Sequence, residues 1–341
     1  MNEIKITPTT INFHKNNILN FDTFLSHFNW KIQNSIIDFD FSKATENNHQ
    51  GITLYILYMM YLEKNGNHIK IRFPEKKETS KFSITKIWKE IGGDRWRDVL
   101  TDPKGNFRFQ KTKPLITIRN YDDVHKARVR VDDVMQDINI EYEKSLKYIL
   151  AELLYNTVEH SFSEYNIPSL LQFNLSSNKR ELSFIIADTG IGIKKHLSKV
   201  HSFADDVEAI QKAIKPKVSG TFYDSNPYKA KNNAGVGLFI SSNIARRLYA
   251  NMYIVSGNGL VHISPTDITQ KRLENAWKGT FIYLTVNLGK GTILDLDQVM
   301  SELRIEANKE YESTQEKANE HYLLLTNFFG KMCEDKGAAI S

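Results

Sequence analysis

The sequence predicts an α+β protein: helices over a mostly antiparallel sheet, a sandwich of two layers, with a small α/β layer before it and a helix after it. Three observations carry this. Five strand-like runs fall between residues 170 and 286, with helical stretches before and between them. The first 110 residues instead alternate strand and helix. From Asp297 onward the chain reads as one long acidic helix.

In order along the chain, Ser35 to Phe41 reads as a strand and Gly51 to Leu62 as a buried helix, apolar on nearly every side. His68 to Phe73 is a second strand, closed by Pro74, and Phe82 to Ile91 is a helix stopped by Gly92 and Gly93. This β-α-β-α order favours a parallel strand pair. Lys104 to Lys113 is polar, basic and turn-rich, and places a boundary there. Asp132 to Phe162 reads as one helical stretch, whose core face is Leu146, Ile149, Leu150, Leu153, Leu154, Thr157 and Val158. Leu170 to Leu175 and Leu182 to Ala187 flank Ser176-Ser-Asn-Lys-Arg-Glu181 as a hairpin. Residues 194–234 carry few regular signals and read as mobile or locally helical. Leu238 to Tyr249 is a helix. Met252 to Ser256, Val261 to Ser264 and Thr280 to Val286 are strands, the first two joined by Gly257-Asn258-Gly259. The expected organisation is a small α/β domain at 1–110, a connecting segment at 111–131, a second domain at 132–292 and a helical tail at 293–341.

Composition bounds the function. At 341 residues, 41% apolar and 25% charged, the chain is globular and long enough for two domains. One cysteine, Cys333, excludes an intramolecular disulfide and a Cys-rich zinc site, and fits a reducing compartment. The first 21 residues hold no apolar core of signal-peptide length. The longest nearly apolar run, Ile52 to Leu62, is far short of the roughly 20 residues of a membrane helix. The expectation is a soluble cytoplasmic protein with no membrane partner. The net charge of +5 is uneven: residues 295–341 carry ten acids and five bases, so the first 294 carry about +10. Plain solvation of a basic body ranks first, an anionic partner second and nucleic acid third, because no RGG, zinc-finger or RNP signature accompanies the charge.

Four motifs carry chemistry. Glu152, Asn156 and His160 are spaced i, i+4, i+8 on one helix stripe. A carboxylate and an amide stacked there suit a magnesium-bound triphosphate, the amide oxygen ligating Mg²⁺ and the carboxylate orienting or deprotonating a water. Asp188-Thr-Gly-Ile-Gly-Ile193 follows a strand directly. An aspartate at a strand end can accept the exocyclic amine proton of adenine, and Gly190 and Gly192 let the backbone pass close to the base. In Asn232-Asn-Ala-Gly-Val-Gly-Leu-Phe-Ile240 two glycines open a helix, leaving N–H groups and a positive dipole end for phosphate. It is neither a P-loop nor a Rossmann fingerprint, since no Lys-Ser/Thr follows and a loop rather than a strand precedes it. Lys278-Gly-Thr-Phe281 opens a strand with a hydroxyl that can bond a base or its water. Taken singly, each also fits a plainer reading: a solvated stripe, a turn, a loop-to-helix junction, a strand start.

Their joint order is more specific. ExxxNxxxH, DxGxG, GxGL and GT, in this succession and context, resemble the GHKL ATPase superfamily of gyrase, heat-shock chaperone, histidine kinase and MutL. Ala151-Glu-Leu-Leu-Tyr-Asn-Thr-Val-Glu-His-Ser161 looks like its N box, Asp188 to Ile193 its first glycine box, Gly235 to Ile240 its second and Gly279-Thr280 its last motif. The resemblance covers about residues 130–290 and implies the Bergerat fold, with ATP between the sheet and a flexible lid near Val200 to Ala234. Lys215, Lys217, Lys229 and Lys231 lie in that lid as phosphate contacts. It implies ATP and Mg²⁺ as cofactors, with Asp188 on adenine, Asn156 on the metal, and Glu152 as general base. Asn233, Gly235, Val236, Gly237 and Leu238 would face the phosphates, His160 would stand near them, and Thr280 would support the base.

The N-terminal region resembles a STAS-like domain more weakly, through the order of residues 36–41, 51–62, 68–74 and the helix ending at Gly92-Gly93. Where that family has a phosphorylatable serine, this chain has Asn47-Asn-His-Gln-Gly51, which implies docking without the switch. His125 lacks the acid and Arg-Thr-Pro of a sensor-kinase phosphoacceptor and reads as a surface or loop histidine. His196 and His201 have no nearby third metal ligand, and Trp30, Trp88, Trp96 and Trp277 read as core anchors. The resemblance implies an ATP-driven conformational switch coupled to a partner protein. The alternatives are an anti-sigma-type serine/threonine kinase and a module that senses ATP without hydrolysing it. A partner or a second copy would dock through the N-terminal domain or the C-terminal helix. In that helix Tyr311, Ala318, Tyr322, Leu325, Phe329 and Met332 form a coiled-coil seam, and only this distal half reads as adhesive.

Overall fold

The computed structural model describes residues 2–15, 18–75, 83–136, 140–160, 165–176, 180–216, 218, 237–289 and 294–313. The N-terminal unit begins with β1 (Glu3–Ile6), followed by the two-residue strands β2 (Thr10–Ile11), β3 (His14–Lys15) and β4 (Ile18–Leu19) and helix α1 (Phe21–Leu25). Then come β5 (Ile36–Asp40), the short β6 (Glu46–Asn47), α2 (His49–Lys64), β7 (His68–Arg72), α3 (Ile84–Glu90) and α4 (Trp96–Thr101). β5 is the centre of a three-stranded sheet and pairs parallel with both β1 and β7, as the strand-helix-strand order implies.

The second unit is built on β8 (Leu115–Ile118), α5 (Tyr121–Met135), α6 (Ile140–His160), β9 (Ser169–Leu175), β10 (Glu181–Ala187), α7 (Gly192–Leu197), α8 (Asp206–Ala213), α9 (Gly237–Arg247), β11 (Asn251–Ile263), β12 (Ile268–Asn287) and α10 (Leu296–Ser313). Its sheet has the order β11-β12-β10-β9-β8, every pair antiparallel.

The large sheet is buried on both faces, and the period of 2 along β10 shows how. Leu182, Phe184 and Ile186 join the core made with α5, α6 and α9. Ile185 and Ala187 point the other way, into a second core shared with the N-terminal unit. β11 does the same, with Met252 and Ile254 on one side and Tyr253 and Val255 on the other. Helix α2 packs against that second face, which is why it is buried from Gln50 through Leu62 rather than along one stripe. The segment before it adds aromatics: Phe13 stands edge-on to Tyr283 at 5.2 Å, and Phe21 lies 5.8 Å from Phe281. α2 thus lies on the face of the large sheet opposite α5, α6 and α9 and shares its core with the N-terminal unit.

Several elements differ from the expectation for physical reasons. Residues 111–131, read as a connection, contribute β8 and α5. β8 is a run of four apolar or β-branched residues with both faces covered, so it shows no alternation. The helical stretch from Asp132 is two helices, α5 ending at Met135 and α6 beginning at Ile140. Gly257-Asn258-Gly259 is not a turn but a bulge within one continuous strand, and the positive φ of 57° at Gly257 is what the glycine permits. The chain reverses at 264–267 instead, and β12 starts twelve residues before Thr280, its first five residues exposed and only Leu273 and Trp277 buried before Gly279. Residues 194–234, read as mobile or locally helical, take in the end of α7 and all of α8, and 217 and 219–234 lie outside the described residues.

The Asn47–Gly51 stretch lies at the start of α2. Asn48 caps it by accepting the Gly51 N–H (2.6 Å), and Gln50 donates to Ser183 of the large sheet (2.9 Å). This helix end is packed against its own chain. The proximal part of α10, read as non-adhesive, buries Val299, Leu303 and Ala307 in the helix-side core, an i, i+4, i+8 stripe. Arg247 at the end of α9 pairs with Glu302 (2.9 Å). The seam residues from Tyr311 to Met332, like Cys333, lie outside the residues whose side chains are described. Among the described residues no helix is long and apolar enough to cross a membrane.

Candidate functional site

β10 ends at Ala187, opposite Phe281 of β12, so Asp188 leaves the sheet beside Thr280. The two backbones bond there, the Asp188 N–H donating to the Thr280 carbonyl (2.9 Å). The Asp188 side chain turns back into this corner. Its Oδ1 accepts the N–H of Gly190 (2.7 Å) and the N–H of Thr280 (3.3 Å). Among the described residues nothing hydrogen-bonds Oδ2. The carboxyl is 9% exposed, and burial pushes its pKa up to about 7 although both backbone donors pull it down.

Glycine is required at the next position. Gly279 has φ 96°, and a Cβ there would stand 2.5 Å from the Asp188 carbonyl oxygen and 2.6 Å from Oδ1. The Trp277 indole N–H donates to that same carbonyl (2.9 Å). Ser256 of β11 ties the remaining strands together: its hydroxyl accepts the Ile193 N–H (2.9 Å), donates to the Gly279 carbonyl (3.0 Å) and meets the Thr280 hydroxyl at 3.1 Å. Gly192, one residue earlier, packs against this serine.

The second group lies in the helix layer. The predicted core face of α6 is buried, which sets Glu152 and Asn156 on the stripe beside it. α9 begins at Gly237 directly against them: a Cβ on Gly237 would lie 2.6 Å from Glu152 Oε2 and 3.6 Å from Asn156 Nδ2. The close approach needs glycine, and it places the positive end of the α9 dipole beside a carboxylate that is 7% exposed.

The structure thus brings the sequence-predicted residues into two clusters. Asp188, Gly190, Gly192 and Thr280 form one, and Glu152, Asn156 and Gly237 form the other. Leu238 is half-buried and packs on the helix-side core. His160 closes α6, with its side chain outside the described set, and Asn233, Gly235 and Val236 lie outside the described residues altogether, as do Lys217, Lys229 and Lys231. Lys215 is exposed just after α8. His125 is exposed on α5, as expected of a surface histidine. Among the described residues no three His, Cys, Asp or Glu side chains gather as a metal cage. Trp88, Trp96 and Trp277 are core residues, whereas Trp30 is only half-buried. Sequence reasoning misses Ser256 and the bond from Trp277 to Asp188. A lone serine in a strand carries no signal, and an indole donor is invisible until the fold places it.

Residues 141–290 match the family model of histidine kinase-, DNA gyrase B- and HSP90-like ATPases. No curated protein is a significant match. Among solved structures, the chain is similar to the histidine kinase domain of a blue-light-activated histidine kinase from Erythrobacter litoralis, at 13% identity and a TM-score of 0.25. That likeness covers 50% of this chain and 61% of the other, so the match spans less than two thirds of that structure. Residues 141–290 are a GHKL-type ATPase domain, of the histidine kinase-, DNA gyrase B- and HSP90-like family.

Proposed function

We propose that this chain binds Mg-ATP between the two clusters and uses it as a nucleotide-driven conformational switch coupled to a partner protein. The observation that carries the reading is the Asp188 carboxyl: buried at a strand end, with Oδ1 held by two backbone N–H groups. That arrangement leaves Oδ2 to accept the exocyclic amine of adenine, a charge-assisted bond once the acid is ionised.

The helix-layer cluster supports the phosphate end. The N–H groups opening α9 at Gly237 and Leu238 suit a polyphosphate. Mg²⁺ fits here because it takes few protein ligands and shares phosphate oxygens and water. One amide oxygen, from Asn156 beside the start of α9, suffices as the protein ligand. The ion would neutralise phosphate charge. Glu152 holds or deprotonates a water, its carboxylate kept in place by the start of α9.

Calorimetric titration of ATP with and without Mg²⁺, on wild type and Asp188→Asn, tests the binding. Phosphate release by wild type and Glu152→Ala tests the turnover. Binding without release makes the chain a nucleotide sensor, and labelled phosphate appearing on a separate protein makes it a kinase.

A further inference from the structure

The strip of β12 from Glu274 to Thr280 is held from two sides. On one side stands the N-terminal unit. Asp22 of α1 accepts the Glu274 N–H (2.8 Å) and pairs with Lys271, and its carbonyl accepts from the Asn275 amide (3.3 Å). The Trp30 indole N–H donates to the Ala276 carbonyl (2.9 Å), and its ring stands edge-on to Trp277, with centroids 4.9 Å apart at 87°. Phe28 meets Trp277 edge-on at 5.5 Å. None of residues 22–30 lies in the segment that matches the ATPase family model.

On the other side stands Asp188. Trp277 is fully buried and donates to the Asp188 carbonyl, while Gly279 and Thr280 close around the carboxyl. Among the described residues, Trp277 is the side chain that hydrogen-bonds Asp188, and its remaining partners are backbone. A phenylalanine at 277 would fill most of the same volume but could not donate. The indole N–H therefore sets the orientation of the peptide from which the carboxyl hangs.

We propose that Trp277 is a positioning residue for Asp188, and that Trp30 of the N-terminal unit holds Trp277 in that role, so that the N-terminal unit sets the affinity of the adenine site. This rests on the reading of Asp188 as the adenine contact. The small parallel sheet and its helices are, in this account, part of the nucleotide site's support rather than a neighbour of it.

The test uses the full chain and two variants that keep an aromatic ring and remove a donor, Trp30→Phe and Trp277→Phe. ATP affinity is read by calorimetry, and the Asp188 carboxyl is titrated by carbon NMR without nucleotide. Each variant is expected to bind ATP about three- to tenfold more weakly, the worth of one net hydrogen bond. Each should also lower the Asp188 midpoint, because a loosened indole admits water to the carboxyl. A lower melting temperature with ATP affinity and the Asp188 midpoint both unchanged would make the two tryptophans packing residues only, and overturn the proposal. If Trp277→Phe does not fold, Trp30→Phe and Asp22→Ala, both at half-buried positions, are measured by the same two readouts, with the same results upholding or overturning the proposal. If wild type itself binds no ATP, the nucleotide reading fails separately. The midpoint in Trp30→Phe then decides: a shift upholds the positioning relation and no shift overturns it.

Discussion

Replacing Asp188 by asparagine separates what this residue costs the fold from what it does for the ligand. The amide keeps an oxygen for the Gly190 and Thr280 N–H groups and has nearly the same shape, so the corner between β10 and β12 is preserved. What disappears is a buried charge. In the folded chain the carboxyl titrates at about 7, against an ordinary value of 3.8. The native state therefore holds this proton more tightly than the unfolded chain does. Its stabilising contribution is fully present below about pH 4 and is lost as pH rises through 7. Three pH units correspond to about 4 kcal/mol, an upper figure for the penalty carried at pH 8. Urea unfolding at pH 4 and pH 8 reads it: Asp188→Asn should match wild type at the lower pH and exceed it by up to that amount at the higher. ATP affinity should move the opposite way, falling roughly tenfold to a hundredfold as a charge-assisted bond worth about 1.5–3 kcal/mol is lost. A variant no more stable than wild type at pH 8 refutes the claim that burial strains this carboxylate. Equal ATP affinities refute its role at the base.

Asn156→Ala should abolish the magnesium-dependent part of the ATP-induced thermal shift while leaving the apo melting temperature within about 2 °C, since the residue sits beside the apolar face of α6; an unchanged shift refutes the ligand assignment. Gly237→Ala should weaken ATP binding because the new Cβ runs into Glu152, and the Glu152→Ala, Gly237→Ala double variant should recover binding but not phosphate release; a double variant no better than the single one, measured by calorimetry, means that the clash is not the cause. Leu303→Asp should cost about 3 kcal/mol in urea unfolding by placing an unpaired charge where α10 meets α9, and no loss would mean that α10 is not docked there. Leu325→Asp with Phe329→Asp should lower the oligomer mass in light scattering without affecting ATP binding, and a wild type already monomeric at micromolar concentrations removes self-association through this seam.

Much of the ATPase half is legible in the sequence because its motifs sit where periodicity is strong. The 3–4 spacing of α6 marks its core face, and that face sets Glu152 and Asn156 on the adjacent stripe, where the start of α9 meets them. The strand before Asp188 is apolar enough to mark a strand end, so the aspartate and its glycines have a context. Legibility fails where burial is two-sided or a strand leaves the sheet. β8 shows no alternation because both its faces are covered, and the start of β12, residues 268–272, is exposed because it runs beyond the core. The covering of the outer sheet face is not readable either. Phe13, Phe21, Phe28 and Trp30 meet Tyr253, Trp277, Phe281 and Tyr283 across more than two hundred residues of sequence, and no local pattern announces such pairs. Ser256 and the indole of Trp277 become functional candidates only through the distances that the fold imposes.

The most direct measurement is a side-by-side calorimetric titration of ATP and GTP into the full chain with Mg²⁺. Adenine presents an amine to Asp188 where guanine presents a carbonyl, which would face the carboxylate oxygen and leave it unpaired. The account predicts one ATP per chain and GTP at least about a hundredfold weaker. Equal affinities, or no binding of either nucleotide, would contradict it.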